Sequence, residues 1–166
     1  SSGALTLTDG NYSASGNAQV NSASALTTSA TLEARGRVDA TAQSGTLSNS
    51  GRIVGDTGLA VTAAAGGVSN SGELFSQQDV AVIASGVLGN TATGEIAAGK
   101  TLLLRSASLS NDGTAIALGS QLRTETTGTT SNSGTLRSDG VLTLKSDGAI
   151  SNTGNLLSQG DVTLSG

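Results

Sequence analysis

One pentapeptide recurs through the chain and constrains everything else about it. Leu47-Ser48-Asn49-Ser50-Gly51 returns as Val68-Ser69-Asn70-Ser71-Gly72, Leu109-Ser110-Asn111-Asp112-Gly113, Thr130-Ser131-Asn132-Ser133-Gly134 and Ile150-Ser151-Asn152-Thr153-Gly154. Leu88-Gly89-Asn90 is a worn copy whose glycine is displaced to Gly94. The asparagines therefore step by 21, 20, 21, 21 and 20 residues. A fixed period of this length signals a stacked repeat, and it is too short for the helical-pair repeats. A β-solenoid and a leucine-rich repeat both remain open at this point.

The rest of the repeat separates the two. One apolar column precedes the asparagine by two residues: Leu5, Leu26, Leu47, Val68, Leu88, Leu109, Thr130 and Ile150. A second follows it: Tyr12, Leu32, Ile53, Leu74, Ile96, Ile116, Leu136 and Leu156. A third lies beyond a small turn: Val20, Val38, Leu59, Val80, Leu102, Leu122, Leu142 and Val162. Each segment alternates with period 2 and is bounded by glycine or asparagine, the mark of a short strand. Three strands and no helical stretch per repeat predict an all-β β-solenoid of about eight coils of 20–22 residues, with parallel strands about 4.8 Å apart and a rod of about 38 Å. The turn residues Gly58, Gln78, Gly99, Gly119, Gly140 and Gly160 precede the third column. Glycine there is expected to supply positive φ. In Leu102-Leu103-Leu104 the inward pair stays ambiguous.

Composition agrees with a thin tube. Of 166 residues only Tyr12 and Phe75 are aromatic, and there is no proline. Large rings normally dominate a globular core. The chain reads as one domain over 1–166, with irregular coils in 1–46 and regular repeats in 47–166. In the irregular part Leu7 and Thr28 take the asparagine position. The chain starts without Met or a signal peptide and shows no capping element, so it reads as a piece of a longer chain, with adjoining coils on either side. Ser1-Ser2-Gly3 reads as a cloning remnant or the tail of a preceding coil.

Charge and residue types exclude several functions. A formal charge of −4 with eight Lys and Arg and no basic cluster disfavours nucleic acid, whose binding rests on cations neutralising phosphates. No apolar run is long enough to span a membrane. Cysteine and histidine are absent, which removes disulfides and ordinary zinc sites, and the acids do not recur in one column. No metal and no cofactor is expected, and no catalytic residue is assigned.

Three constellations remain. The first is the corner, Asn49, Gly51, Asn70, Gly72, Asn90, Asn111, Gly113, Asn132, Gly134, Asn152 and Gly154. Its asparagines either close a turn in the left-handed conformation or stack as an amide ladder. The second is Glu73 and Glu95 in one outward column with Arg52 one coil earlier. Paired carboxylates about 5 Å apart suit a retaining glycosidase, but the chain offers no aromatic platform or cleft, and a solvated charge ladder is the plainer reading. Asp79 and Lys100 read as a similar cross-coil pair. The third is an outward stripe less polar than its surroundings, Val54, Phe75, Ala97 and Ala117, followed by Arg137 and Leu157, a candidate contact surface.

The unit Leu-Ser-Asn-Ser-Gly-x-Ile/Leu-x-Ser-x-Gly-x-Leu-x-Leu, clearest in residues 130–166, resembles the haemagglutinin repeats of filamentous haemagglutinin-like exoproteins. The resemblance covers 47–166 well and 1–46 loosely. It implies a right-handed parallel β-helix and a Gram-negative two-partner-secretion product, either an adhesin or the stalk of a contact-dependent growth-inhibition protein. It also implies export through an outer-membrane transporter, a secreted or surface-exposed location, and a receptor on a host or neighbouring cell. Neither the family's secretion domain nor a toxin domain is visible.

Overall fold

The computed structural model describes residues 3–166; Ser1 and Ser2, part of the Ser1-Ser2-Gly3 reading, lie outside the described residues. The chain winds through eight coils, each contributing one strand to each of three eight-stranded parallel sheets. Among the described residues there is no helix. The first sheet runs from Leu5–Leu7 to Ile150–Asn152, the second from Asn11–Ala14 to Asn155–Ser158, and the third from Ala18–Ser22 to Val162–Ser165. Coils are numbered below from the N-terminus by these strands. Every coil is a crossover between parallel strands of one sheet, a connection that is right-handed in about 98 % of cases.

Backbone pairing runs without a break from coil to coil, so residues at equivalent positions stack. The first apolar column is aligned as expected, from Leu5 through Leu47 and Leu88 to Ile150. The first two coils join the same registers as the rest. In the second column Ile53, Leu74 and Ile96 are fully buried, but Ile96 pairs with Ala115 and not with Ile116. Ile116 therefore points outward. The cause is the constant spacing: the inward residue stands four after Asn49, Asn70 and Asn132, and Ala115 stands four after Asn111. Position along the strand, not side-chain size, decides which face a residue takes.

The third column needs one correction of the same kind. Val38 pairs with Ala18, and Val20 with Ala40. Val20 belongs to a further inward column two residues on, with Val61, Val82, Leu104, Thr124, Leu144 and Leu164. This resolves the leucine triplet, since Leu102 and Leu104 are buried while Leu103 points out. In most coils from the third on, the longer third strand thus sends two large aliphatic residues into the tube, while the inward partner in the second strand is small: Ala34, Gly55, Ser76, Ala98, Ala117 and Ser138. Large against small is what lets three strands close around so narrow an interior. At the two ends the inward columns meet solvent, and Tyr12, Val162 and Leu164 are exposed.

Most of the turn glycines do not supply positive φ. Among the turn residues named above only Gly58 has it, at 157°. Gly99 and Gly140 are glycine because the coils pack so closely: a Cβ on either would stand 2.0 Å from the carbonyl oxygen of Gln77 or Ser120 in the coil before. The corner glycines obey the same rule, with Gly72 meeting the Gly51 oxygen and Gly134 the Gly113 oxygen at 2.0 Å.

Thr124 is the weak point of the interior. It stacks between Leu104 and Leu144, fully buried, and its hydroxyl has no hydrogen-bond partner among the described residues. An unpaired buried hydroxyl costs about 1–3 kcal/mol. Thr124→Val keeps the shape and removes that cost. Equilibrium denaturation of the variant is expected to show a gain of about 1 kcal/mol, and an unchanged or lower midpoint would refute the assignment.

Candidate functional site

The corner asparagines form a ladder through the rod. Asn49 Nδ2 donates to Asn70 Oδ1 at 2.8 Å, and Asn70 to Asn90 at 3.0 Å. Asn90 donates to Asn111 at 2.8 Å, Asn111 to Asn132 at 2.7 Å, and Asn132 to Asn152 at 2.7 Å. None of these asparagines has positive φ; Asp9, at 42°, is the sole non-glycine that does among the described residues. The ladder is therefore the arrangement adopted, and the left-handed turn is not. The same amides also fix the corner locally. Each donates to the carbonyl of the corner glycine, as in Asn70 to Gly72 at 3.0 Å, and all but Asn152 of the last coil donate to a carbonyl at the head of the next coil's second strand, as in Asn70 to Glu95 at 3.2 Å.

The worn copy shows how rigid this requirement is. Asn90 keeps its place, residues 91–93 loop outward where the other corners have a single residue, and Gly94 returns to the corner position, accepting from Asn90 Nδ2 at 3.2 Å. Gly94 N–H closes the loop by donating to the Thr91 carbonyl at 2.8 Å. At the other end the ladder stops at Thr28, which occupies the asparagine position, is buried, and has no partner for its hydroxyl among the described residues. Removing one middle rung should be costly, because it takes the ladder acceptor from Asn70 and the amide donor from Asn111 Oδ1 and from the Gly94 and Thr114 carbonyls at once. Asn90→Ala is expected to lower stability by about 2–5 kcal/mol in chemical denaturation, whereas a loss below about 1 kcal/mol would show that the ladder carries no weight.

The acidic pair is in register as expected: Arg52, Glu73 and Glu95 stack outward in successive coils. The Arg52 Nε donates to Glu73 at 2.9 Å, and its Nη1 bonds the Glu33 carboxylate of the coil before. Glu73 is thus held in an ion ladder while Glu95 faces solvent. No aromatic side chain shares their column. Asp79 does not pair with Lys100; its carboxylate accepts from the Thr101 backbone N–H at 3.2 Å and from the Thr101 hydroxyl.

A stronger charge cluster, not foreseen from the sequence, lies on the third sheet. Glu125 accepts from Arg105 Nε at 2.7 Å in the preceding coil and is paired with Arg123 on its own strand. The Arg105 hydrogen bond holds its carboxyl below the ordinary value, and the two positive charges add to this against the opposing effect of burial. A depressed pKa stabilises the folded state above the ordinary carboxylate value and loses that effect as pH falls through the lowered value. Glu125→Gln should therefore lower the melting temperature near neutral pH, and the gap should close on acidification. A gap that is constant with pH would exclude the ion cluster as its cause.

The outward stripe is present with one substitution. Glu33, Val54, Phe75, Ala97, Ile116, Arg137 and Leu157 stack in one column, so Ile116 takes the place expected for Ala117, which is buried in the core. The column is less exposed than alternation alone implies. Val54 and Ala97 are buried beneath their neighbours, and Phe75 is half-buried. An open groove of about 600 Å³ passes over Val54, walled by Phe75 and Gln77 and by Glu33, Arg35 and Asp56.

The comparisons with known proteins are consistent with this geometry. No curated protein and no solved structure gives a match. Residues 114–166, about the last third of the chain, match the protein family described as haemagglutinin repeat. This segment holds the corners Asn132-Ser133-Gly134 and Asn152-Thr153-Gly154, so the match falls on coils that carry the recurring corner.

Proposed function

We propose that the chain is a structural rod segment of a large secreted, surface-exposed exoprotein of a Gram-negative bacterium, either an adhesin or a contact-dependent inhibition stalk that presents a distal domain. The observation that carries this reading is continuity. The coil of the family segment, residues 114–166, is built on the same three registers as every coil before it, with the same ladder from Asn49 onward. A repeat that does nothing but repeat serves length and stiffness. Two-partner secretion, an outer-membrane transporter and a receptor on a host or neighbouring cell follow from the same reading, as does the single domain over 1–166.

A carbohydrate-active centre at Glu73 and Glu95 is the competing reading, and Arg52 argues against it by occupying Glu73. The design also suits export. Coils contact chiefly their neighbours, so folding can propagate along the rod, and a chain without cysteine or proline meets no slow disulfide or prolyl step. The expected result is that denatured chain refolds in plain buffer without metal, oxidant or prolyl isomerase. The refolded rod should turn over no polysaccharide; activity lost on Glu73→Gln with Glu95→Gln would defeat the rod reading.

A further inference from the structure

Where the second sheet faces solvent, its charges are placed symmetrically about an apolar centre. The outward column reads Glu33, Val54, Phe75, Ala97, Ile116 and Arg137 in coils two to seven. The residue that follows each strand forms a second outward row, aligned by backbone hydrogen bonds: Arg35, Asp56, Gln77, Gly99, Leu118 and Asp139. Row and column share one surface, since Arg137 donates to Asp139 at 2.7 Å and the groove over Val54 is lined by both. Four apolar residues are thus flanked by Glu33 and Arg35 on one side and by Arg137 and Asp139 on the other.

We propose that this face docks a second copy of the same chain, antiparallel, about a two-fold axis passing between coils four and five. Two faces related by an in-plane axis across the rods keep each column opposite itself and reverse the order of coils. Glu33 then meets Arg137 and Arg35 meets Asp139, so both contacts join opposite charges, and each occurs twice. Val54 meets Ile116, and Phe75 meets Ala97. Leu118, half exposed with no cover of its own, faces Asp56 and the groove over Val54. A parallel two-fold would instead put column against row and like coil against like, which sets Glu33 against Arg35 and Ile116 against Leu118 but leaves Phe75 against Gln77 and Val54 against Asp56. The antiparallel arrangement sets opposite charges together at both ends and gives Phe75 and Ile116 apolar partners, in the self-complementary manner of an isologous contact.

The contact is short. From coil two to coil seven it extends about 24 Å at the strand spacing, below the size of a standard stable interface, so the dimer is weak and calls for high concentration. Nothing in this depends on the rod reading above.

Sedimentation equilibrium on the 166-residue chain up to millimolar concentration is expected to show a monomer–dimer equilibrium. Ile116→Lys should leave the melting temperature and circular dichroism as they are and weaken dimerisation at least roughly tenfold, as expected for a buried charge at an interface core. Arg35→Glu and Asp139→Lys should each weaken it, and the two together should restore it. The chain has no cysteine, so an Arg35→Cys chain mixed with an Asp139→Cys chain should yield chiefly the mixed disulfide dimer under mild oxidation. A wild-type chain that stays monomeric at millimolar concentration overturns the proposal. So does a dimer indifferent to Ile116→Lys, a double charge exchange that fails to restore association, or cross-linking confined to like chains.

Discussion

The whole structure depends on one spacing, the distance of about 4.8 Å between parallel strands in adjacent coils. Backbone hydrogen bonds impose it on all three sheets, and every side chain must then live with a copy of its own position directly above and below. That condition selects residues which tolerate self-stacking. Aliphatic chains do so inside, asparagine does so at the corner because its amide is donor and acceptor at once, and glycine does so where the next carbonyl leaves no room for a Cβ. Charge stacks poorly on itself, and here opposite charges meet across coils: Arg52 on Glu73 in one column, with Glu33 reaching Arg52 from the neighbouring column, and Arg105 on Glu125 on the third sheet.

The corner links this constraint to the tube's shape. Because each amide also binds carbonyls in its own corner and at the start of the next coil's second strand, the ladder couples the bend within a coil to the registry between coils. The interior is then divided unevenly. The third strand contributes two large residues where the second contributes one large and one small, so the cross-section is filled without any aromatic ring in the middle coils.

The period, the strand count and the first column were legible in the sequence because they rest on identity at fixed intervals. The failures at Ile116 and Val20 have one cause, which is choosing the largest nearby aliphatic over the fixed offset. Ala115 looks too small for a core position, and nothing local says that Ile96 and Leu136 above and below it complete the packing. Spacing from the corner asparagine carried the answer. The Asn column was seen, but ladder and left-handed turn make the same demand on residue type, and only geometry separates them. The Arg105, Arg123 and Glu125 cluster was missed because Arg105 and Glu125, twenty apart, become neighbours only once the register of the third sheet is fixed. The apolar stripe was found on the sequence, but its flanking charges become meaningful only when the turn row is placed beside it.

The loop of residues 91–93 shows that one corner can be lengthened without disturbing the coils on either side, and the same modularity has a mechanical side. A coil of about 20 residues drawn out straight spans roughly 70 Å, against a rise of about 4.8 Å in the stack. Under tension each coil that detaches therefore lengthens the chain more than tenfold locally, while the remaining stack keeps its ladder and its sheets. A stack of this kind is expected to yield in discrete steps when pulled, one coil at a time, each step relaxing the tension on the coils still paired.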